Sequence, residues 1–100
     1  MYSLENEAVI TSNRTRVEIL ASILNVAERA TLKTHIMYKA NLSHRQLEKY
    51  LTFLQDNDML SQFTDEETGS RMYKVTVKGT GFLKDYSRLS SMYGENILRK

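Results

Sequence analysis

The sequence predicts an α+β, mostly α domain: a winged helix-turn-helix with a two-stranded wing and a C-terminal dimerisation helix. Three observations predict it. Residues 33–57, KTHIMYKANLSHRQLEKYLTFLQDN, pair a short helix with a longer amphipathic one across a corner at Ala40-Asn41-Leu42. Two strand-like runs, Leu60–Thr64 and Arg71–Val75, follow at once and are separated by DEETGS, where Gly69 offers the positive φ a hairpin turn often requires. From Thr76 onward an apolar stripe recurs at helical spacing.

In chain order, residues 1–13 give mixed signals: a short helix or strand through Ala8–Ile10, or a partly ordered arm. The first helix begins near Asn13–Thr15, where Thr15 and Glu18 have the spacing of a capping box, and is expected to run to about Arg29. It carries two apolar stripes, Val17/Leu20/Leu24/Ala27 and Ile19/Ile23/Val26. A surface helix needs only one. The second must pack on another element or another subunit.

The second helix spans about Lys33–Ala40, with Ile36, Met37 and Ala40 inward. The third runs from Ser43 to about Asn57, and Ser43 with Gln46 forms a second capping box. Leu47, Tyr50, Leu51 and Leu54 fall on one face; at about 100° per residue, Arg45, Lys49 and Thr52 fall on the other. One side docks, and a basic, hydroxyl-bearing side faces out, as in a recognition helix offered to a major groove. Thr76 caps the last helix. There Phe82, Tyr86, Leu89, Tyr93 and Ile97 resemble a short coiled-coil seam, a candidate homodimer contact, although the same stripe would also serve an intramolecular core. Gly79 and Gly81 cost helix propensity, and close packing against the hairpin is the expected return. The divisions are therefore an N-terminal arm (1–13), a DNA-binding domain (14–75) and a C-terminal dimerisation element (76–100).

One hundred residues suit a single small domain, which buries roughly two-thirds of its unfolded surface. With no cysteine there is no disulfide framework or thiolate metal site. No apolar run approaches the roughly 18 residues of a membrane span, so a cytoplasmic, nucleoid-associated protein is expected. The net charge is only +2, and position matters more than the sum. Residues 33–49 carry Lys33, Lys39, Arg45 and Lys49 against Glu48 alone, while acids gather at Glu5–Glu7, Asp56–Asp58 and Asp65–Glu67. A locally basic face steers a polyanion even on a nearly balanced molecule.

The candidate DNA-contacting residues follow. Arg45 lies in the first turns, where its fork can read guanine, and Lys49 suits a phosphate. Gln46 and Thr52 share the outer face. Ser43 caps its helix and offers its hydroxyl or the adjacent amides to a phosphate. Lys33 and Thr34 start a helix that crosses the backbone, and Arg71 follows the wing tip. His44 lies beside the apolar face, where packing competes with DNA contact. Two histidines, His35 and His44, without cysteine or clustered carboxylates make no zinc site. Tyr38, Tyr50 and Tyr73 read as core or core margin before base-stacking platforms. No phosphate loop, H-E-x-x-H or nucleophile elbow occurs, so neither an enzyme, a cofactor nor a small-molecule ligand is expected.

Certain phrases also resemble a known family. E-I-L-x-x-I-L at Glu18–Leu24, preceded by Arg14 and Arg16, is followed by K-T-H-I-M-Y-K-A-N-L-S at Lys33–Ser43. Y-L-x-x-L at Tyr50–Leu54 and T-V-K-G-x-G-F-L at Thr76–Leu83 complete the set. Over about residues 14–90 the chain resembles archaeal winged-helix DNA-binding proteins of the small chromatin-associated, ten-kilodalton type, and related archaeal regulators. The resemblance implies a homodimer on double-stranded DNA, joined by an antiparallel coiled coil of C-terminal helices, acting in transcription regulation or chromatin architecture. Two features depart from that pattern. The C-terminal helix is short, and the wing tip is acidic at Asp65, Glu66 and Glu67, leaving Thr68–Arg71 for backbone contact. An adaptor that uses the same fold to bind a protein is the rival expectation.

Overall fold

The computed structural model describes residues 14–93; the arm 1–13, Gly94 and Ile97 lie outside them. Helix α1 (Arg16–Val26) starts at the expected capping box. Thr15 Oγ1 accepts from the Glu18 amide at 3.1 Å, and Glu18 Oε1 accepts from the Thr15 amide at 2.7 Å. The helix stops at Val26 rather than near Arg29. Its next carbonyl, that of buried Ala27, accepts from the Val75 amide at 2.8 Å, which draws the chain out of the helix and toward the sheet.

That departure creates an element the periodicity did not show. Strand β1 (Thr31–Leu32) pairs antiparallel with β3, Thr31 opposite Tyr73 and Leu32 opposite Met72. Helix α2 (Lys33–Ala40) follows without a side-chain cap and ends at Asn41, whose φ of 56° and ψ of 55° are left-handed. The Leu42 amide donates to Met37 O and the Asn41 amide to Tyr38 O, the Schellman pattern that satisfies the last carbonyls. Asparagine is one of the few residues that enters this region readily. The corner is thereby sharp and fixed.

Helix α3 (His44–Asp56) opens on the second capping box, Ser43 Oγ accepting from the Gln46 amide at 3.1 Å and Gln46 Oε1 from the Ser43 amide at 3.0 Å. It closes on another Schellman turn, in which Asp58 takes a φ of 59°. Strands β2 (Leu60–Thr64) and β3 (Arg71–Val75) pair from Leu60–Val75 to Thr64–Arg71. The sheet therefore has three strands, ordered β1-β3-β2. Gly69 takes the positive φ expected of it, at 77°.

Helix α4 (Val77–Tyr93) is capped by Thr76, whose hydroxyl accepts from the Gly79 amide at 3.0 Å and donates to Asp58 O at 2.6 Å. One core joins Ile19, Ile23 and Leu24 of α1, Ile36 of α2, Leu47, Leu51 and Leu54 of α3, and Leu60, Tyr73 and Leu83 beyond. Each such aliphatic chain contributes about 1.5–3 kcal/mol on burial. The second stripe of α1 thus finds a partner within the chain, since Ile19 and Ile23 are buried and α1 packs on α4. On α4, Phe82 and Tyr86 are half-buried against this core and stack with ring centroids 6.5 Å apart. Leu89 and Met92 farther along remain 52% and 54% exposed. No helix among the described residues is long and apolar enough to cross a membrane.

Candidate nucleic-acid interface

The third helix is held by its inner face and free on its outer one. Leu47, Leu51 and Leu54 anchor it in the core and Tyr50 is half-buried, while Arg45, Gln46, Lys49 and Thr52 are all exposed. Its first turn is also fixed from behind. The Arg14 guanidinium donates to Ala40 O at 2.7 Å and to Asn41 O at 3.2 Å, tying the start of α1 to the corner between α2 and α3. Nothing local in the sequence marks Arg14 for this, because its partners lie 26 and 27 residues away.

The expected site residues fall into two groups, with Arg71 apart on the wing. Arg45, Gln46, Lys49 and Thr52 share the exposed surface, with Ser43 at its N-terminal end engaged in its cap. Lys33, Glu48 and His44 form a separate cluster along the flank facing α2. Lys33 Nζ pairs with Glu48 Oε2, and His44 Nε2 stands 3.5 Å from the same oxygen. The Glu48 carboxyl is held below its ordinary range chiefly by the Lys33 hydrogen bond, which outweighs the opposing desolvation, with lesser help from the charges of Lys33 and His44. Lys33 is thus partly neutralised where it stands. Thr34 is exposed beside it, and Arg71 is exposed where β3 leaves the wing tip, opposite Thr64.

The wing tip is built by its own acid. Asp65 Oδ2 accepts from the Thr68 amide at 3.0 Å and its hydroxyl at 2.9 Å, and the Asp65 amide donates to Ser70 O at 2.8 Å. Asp65 is therefore turned into the loop, and Glu66 and Glu67 carry the exposed negative charge. The other flank of α3 faces α1 across a cleft of about 570 Å³ lined by Arg16, Leu20, Gln46, Lys49, Tyr50 and Phe53. Phe53 is 46% exposed there. It lies about 80° around the helix from Arg45 at 100° per residue, so the periodicity that singled out Arg45 and Lys49 already placed it beside them. Among the described residues no cluster of three His, Cys, Asp or Glu has the arrangement of a metal site.

A helix pinned at a sharp corner, followed by a three-stranded sheet whose hairpin projects beside it, is the architecture of a family whose model, described as winged helix-turn-helix, matches residues 13–94. The chain belongs to the winged helix-turn-helix family. Its relatives include an uncharacterized protein of Methanocaldococcus jannaschii, 35% identical over 65 residues, which cover 60% of this chain and 67% of that protein. The fold is similar to that of Sso10a-2, a DNA-binding protein from Sulfolobus solfataricus, with a TM-score of 0.73 at 23% identity over 82% of this chain and 84% of that one. It is also similar to the PcaV transcriptional regulator of Streptomyces coelicolor, with a TM-score of 0.69 at 18% identity over 89% of this chain and 65% of that one. A third likeness is to a MepR mutant of S. aureus bound to an oligodeoxyribonucleotide, with a TM-score of 0.65 at 9% identity over 84% of this chain and 62% of that one. The resemblance to archaeal winged-helix proteins read from the sequence therefore holds in both fold and family.

Proposed function

We propose that this winged helix-turn-helix protein binds double-stranded DNA as a homodimer and acts, without catalysis, as a transcription regulator or architectural chromatin protein on the cytoplasmic nucleoid. The observation that carries this reading is the outer face of α3, where Arg45, Gln46, Lys49 and Thr52 are exposed together on a helix locked into the core behind them. The helix enters the major groove with Arg45 toward base edges, Gln46, Thr52 and His44 beside it, and Lys49 on a phosphate. Ser43, Thr34, Lys33 and Arg71 complete the backbone contacts. Lys33 does so in competition with Glu48. Phosphate contacts fix register and orientation, while Arg45 supplies discrimination.

The region 14–75 would carry DNA binding and 76–100 dimerisation. Exposed Leu89 and Met92 support a contact between copies that continues the Phe82/Tyr86 stripe toward Tyr93 and Ile97. The DNA-bound MepR mutant and the DNA-binding Sso10a-2 share this fold, which supports the reading without carrying residue roles across.

The test is fluorescence anisotropy with random-sequence duplex, titrated from low to physiological salt. Binding whose log K falls linearly with log salt, at a slope equivalent to several phosphates, is the expected result. One observation favours a second reading: the exposed Glu66 and Glu67 at the wing tip repel phosphates and suit a basic protein partner. Absence of any binding at low salt would replace the DNA reading with that adaptor.

A further inference from the structure

The two flanks of α3 differ in charge, and the difference bears on how a duplex is gripped. A helix about 10–12 Å across fills a major groove about 12 Å wide, so both bounding backbones come within reach of whatever stands beside the helix. On one side stands the hairpin, marked by the hydrogen bond from Gln55 to Gln62 at 3.1 Å. Its tip presents Glu66 and Glu67. On the other side lies the cleft between α3 and the first turn of α1, with Arg16 and Lys49 on its two walls.

That cleft has the chemistry of a phosphodiester seat. Arg16, Leu20, Gln46, Lys49, Tyr50 and Phe53 line it, so among the described residues it offers two cations, an amide and two aromatic rings, and no carboxylate. Among the described residues the nearby acids are engaged elsewhere: Glu18 closes the capping box of α1, and Glu48 is turned to Lys33 on the opposite flank. Asp56 shares the outer face of α3 but lies two turns beyond Lys49. Among the described residues neither Arg16 nor Lys49 makes an ion pair. Arg14 anchors the start of α1 to the corner, so Arg16 projects from a fixed turn.

We propose that this cleft seats a backbone phosphate on the side of the groove away from the wing, held between Arg16 and Lys49, with Tyr50 and Phe53 against the adjoining deoxyribose. The inference rests on the DNA reading above and adds α1 to the interface. It makes the cleft, and not the acidic tip of the hairpin, the principal backbone grip, with Arg71 at the start of β3 a lesser contact. A guanidinium on a fixed turn suits a phosphate because its fork donates two parallel hydrogen bonds.

The experiment measures log K against log salt on one duplex for the wild-type protein, R16A and R16K, with thermal melts to confirm that each is folded. R16A is expected to bind more weakly and to lose about 0.9 from the slope per protomer. Its ranking of different duplex sequences is expected to be unchanged. R16K retains the charge and is expected to recover the slope. A folded R16A with wild-type slope and affinity would overturn the phosphate seat while leaving DNA binding by α3 standing. A changed sequence ranking would overturn it too, by making Arg16 a reader of bases. Absence of binding by the wild-type protein would overturn both inferences together.

Discussion

The packing of α4 against the hairpin is tested by adding one methyl group at either of two glycines. At Gly79 an added Cβ would stand 2.3 Å from the Met59 carbonyl oxygen and 2.6 Å from Val75 Cγ2. One neighbour is backbone and the other belongs to a paired strand, so neither is the loose end of a long side chain. Relief requires α4 to move off the sheet, which strains the bond from the Thr76 amide to Met59 O, now 3.1 Å. Overpacking costs about 3 kcal/mol at the upper end of its usual range, and the weakened hydrogen bond about 1 kcal/mol. Higher helix propensity returns about 1 kcal/mol. G79A should therefore be destabilised by about 3 kcal/mol. At Gly81 nothing lies within 4 Å of the added Cβ, so only the propensity term acts and G81A should gain about 1 kcal/mol. Urea unfolding followed by circular dichroism reads both. For a domain of this size each kcal/mol moves Tm by about 4–8 °C, so thermal melts should shift in opposite directions. Two variants of equal stability, or a stabilised G79A, would refute the close approach of α4 to Met59 and Val75.

Three further changes probe the frame of the candidate interface. S43A removes the acceptor for the Gln46 amide and should cost about 1 kcal/mol, read as a lower urea midpoint with unchanged m. R14A leaves Ala40 O and Asn41 O without their guanidinium partner and should cost about 1–3 kcal/mol by the same measurement. E48Q removes a negative charge and releases Lys33, so duplex binding should tighten and the salt slope should steepen by about 0.9 per protomer if Lys33 then takes a phosphate. It has a pH signature as well. The folded-state pKa of Glu48 is lowered, so its stabilising contribution is present above the ordinary carboxylate range and is lost as pH falls through the lowered value. Wild type and E48Q should therefore differ in stability near neutrality and converge in acid. A difference that persists in acid would contradict the assignment of the Lys33–Glu48 pair.

What the sequence displayed plainly was whatever is local. Thr15 with Glu18 and Ser43 with Gln46 are three residues apart, and their side-chain to backbone bonds close within one turn. Leu47, Leu51 and Leu54 repeat at helical spacing and are buried as a stripe. What it concealed depends on distant partners. Strand β1 is two residues long, too short for any alternation, and exists because Tyr73 and Met72 pair with it. The helical pattern of α1 continues past Val26, but the Ala27 carbonyl is claimed by Val75. Its second apolar stripe was legible, whereas its partner α4 was not. At the candidate site, the outward set of Arg45, Lys49 and Thr52 followed from helical geometry alone. The capture of Lys33 by Glu48, 15 residues on, and the cleft that joins Arg16 to Lys49 require the packed chain.

The central claim is that the outer face of α3 binds duplex DNA, and the most direct measurement is anisotropy at low salt with the double variant R45A/K49A beside the wild-type protein. Both side chains are exposed and make no ion pair among the described residues, so the variant should melt with the wild type, within about 0.5 kcal/mol per site. The account predicts duplex binding by the wild-type protein and its loss in the folded variant. Undiminished binding by that variant would contradict it and move the interface off α3.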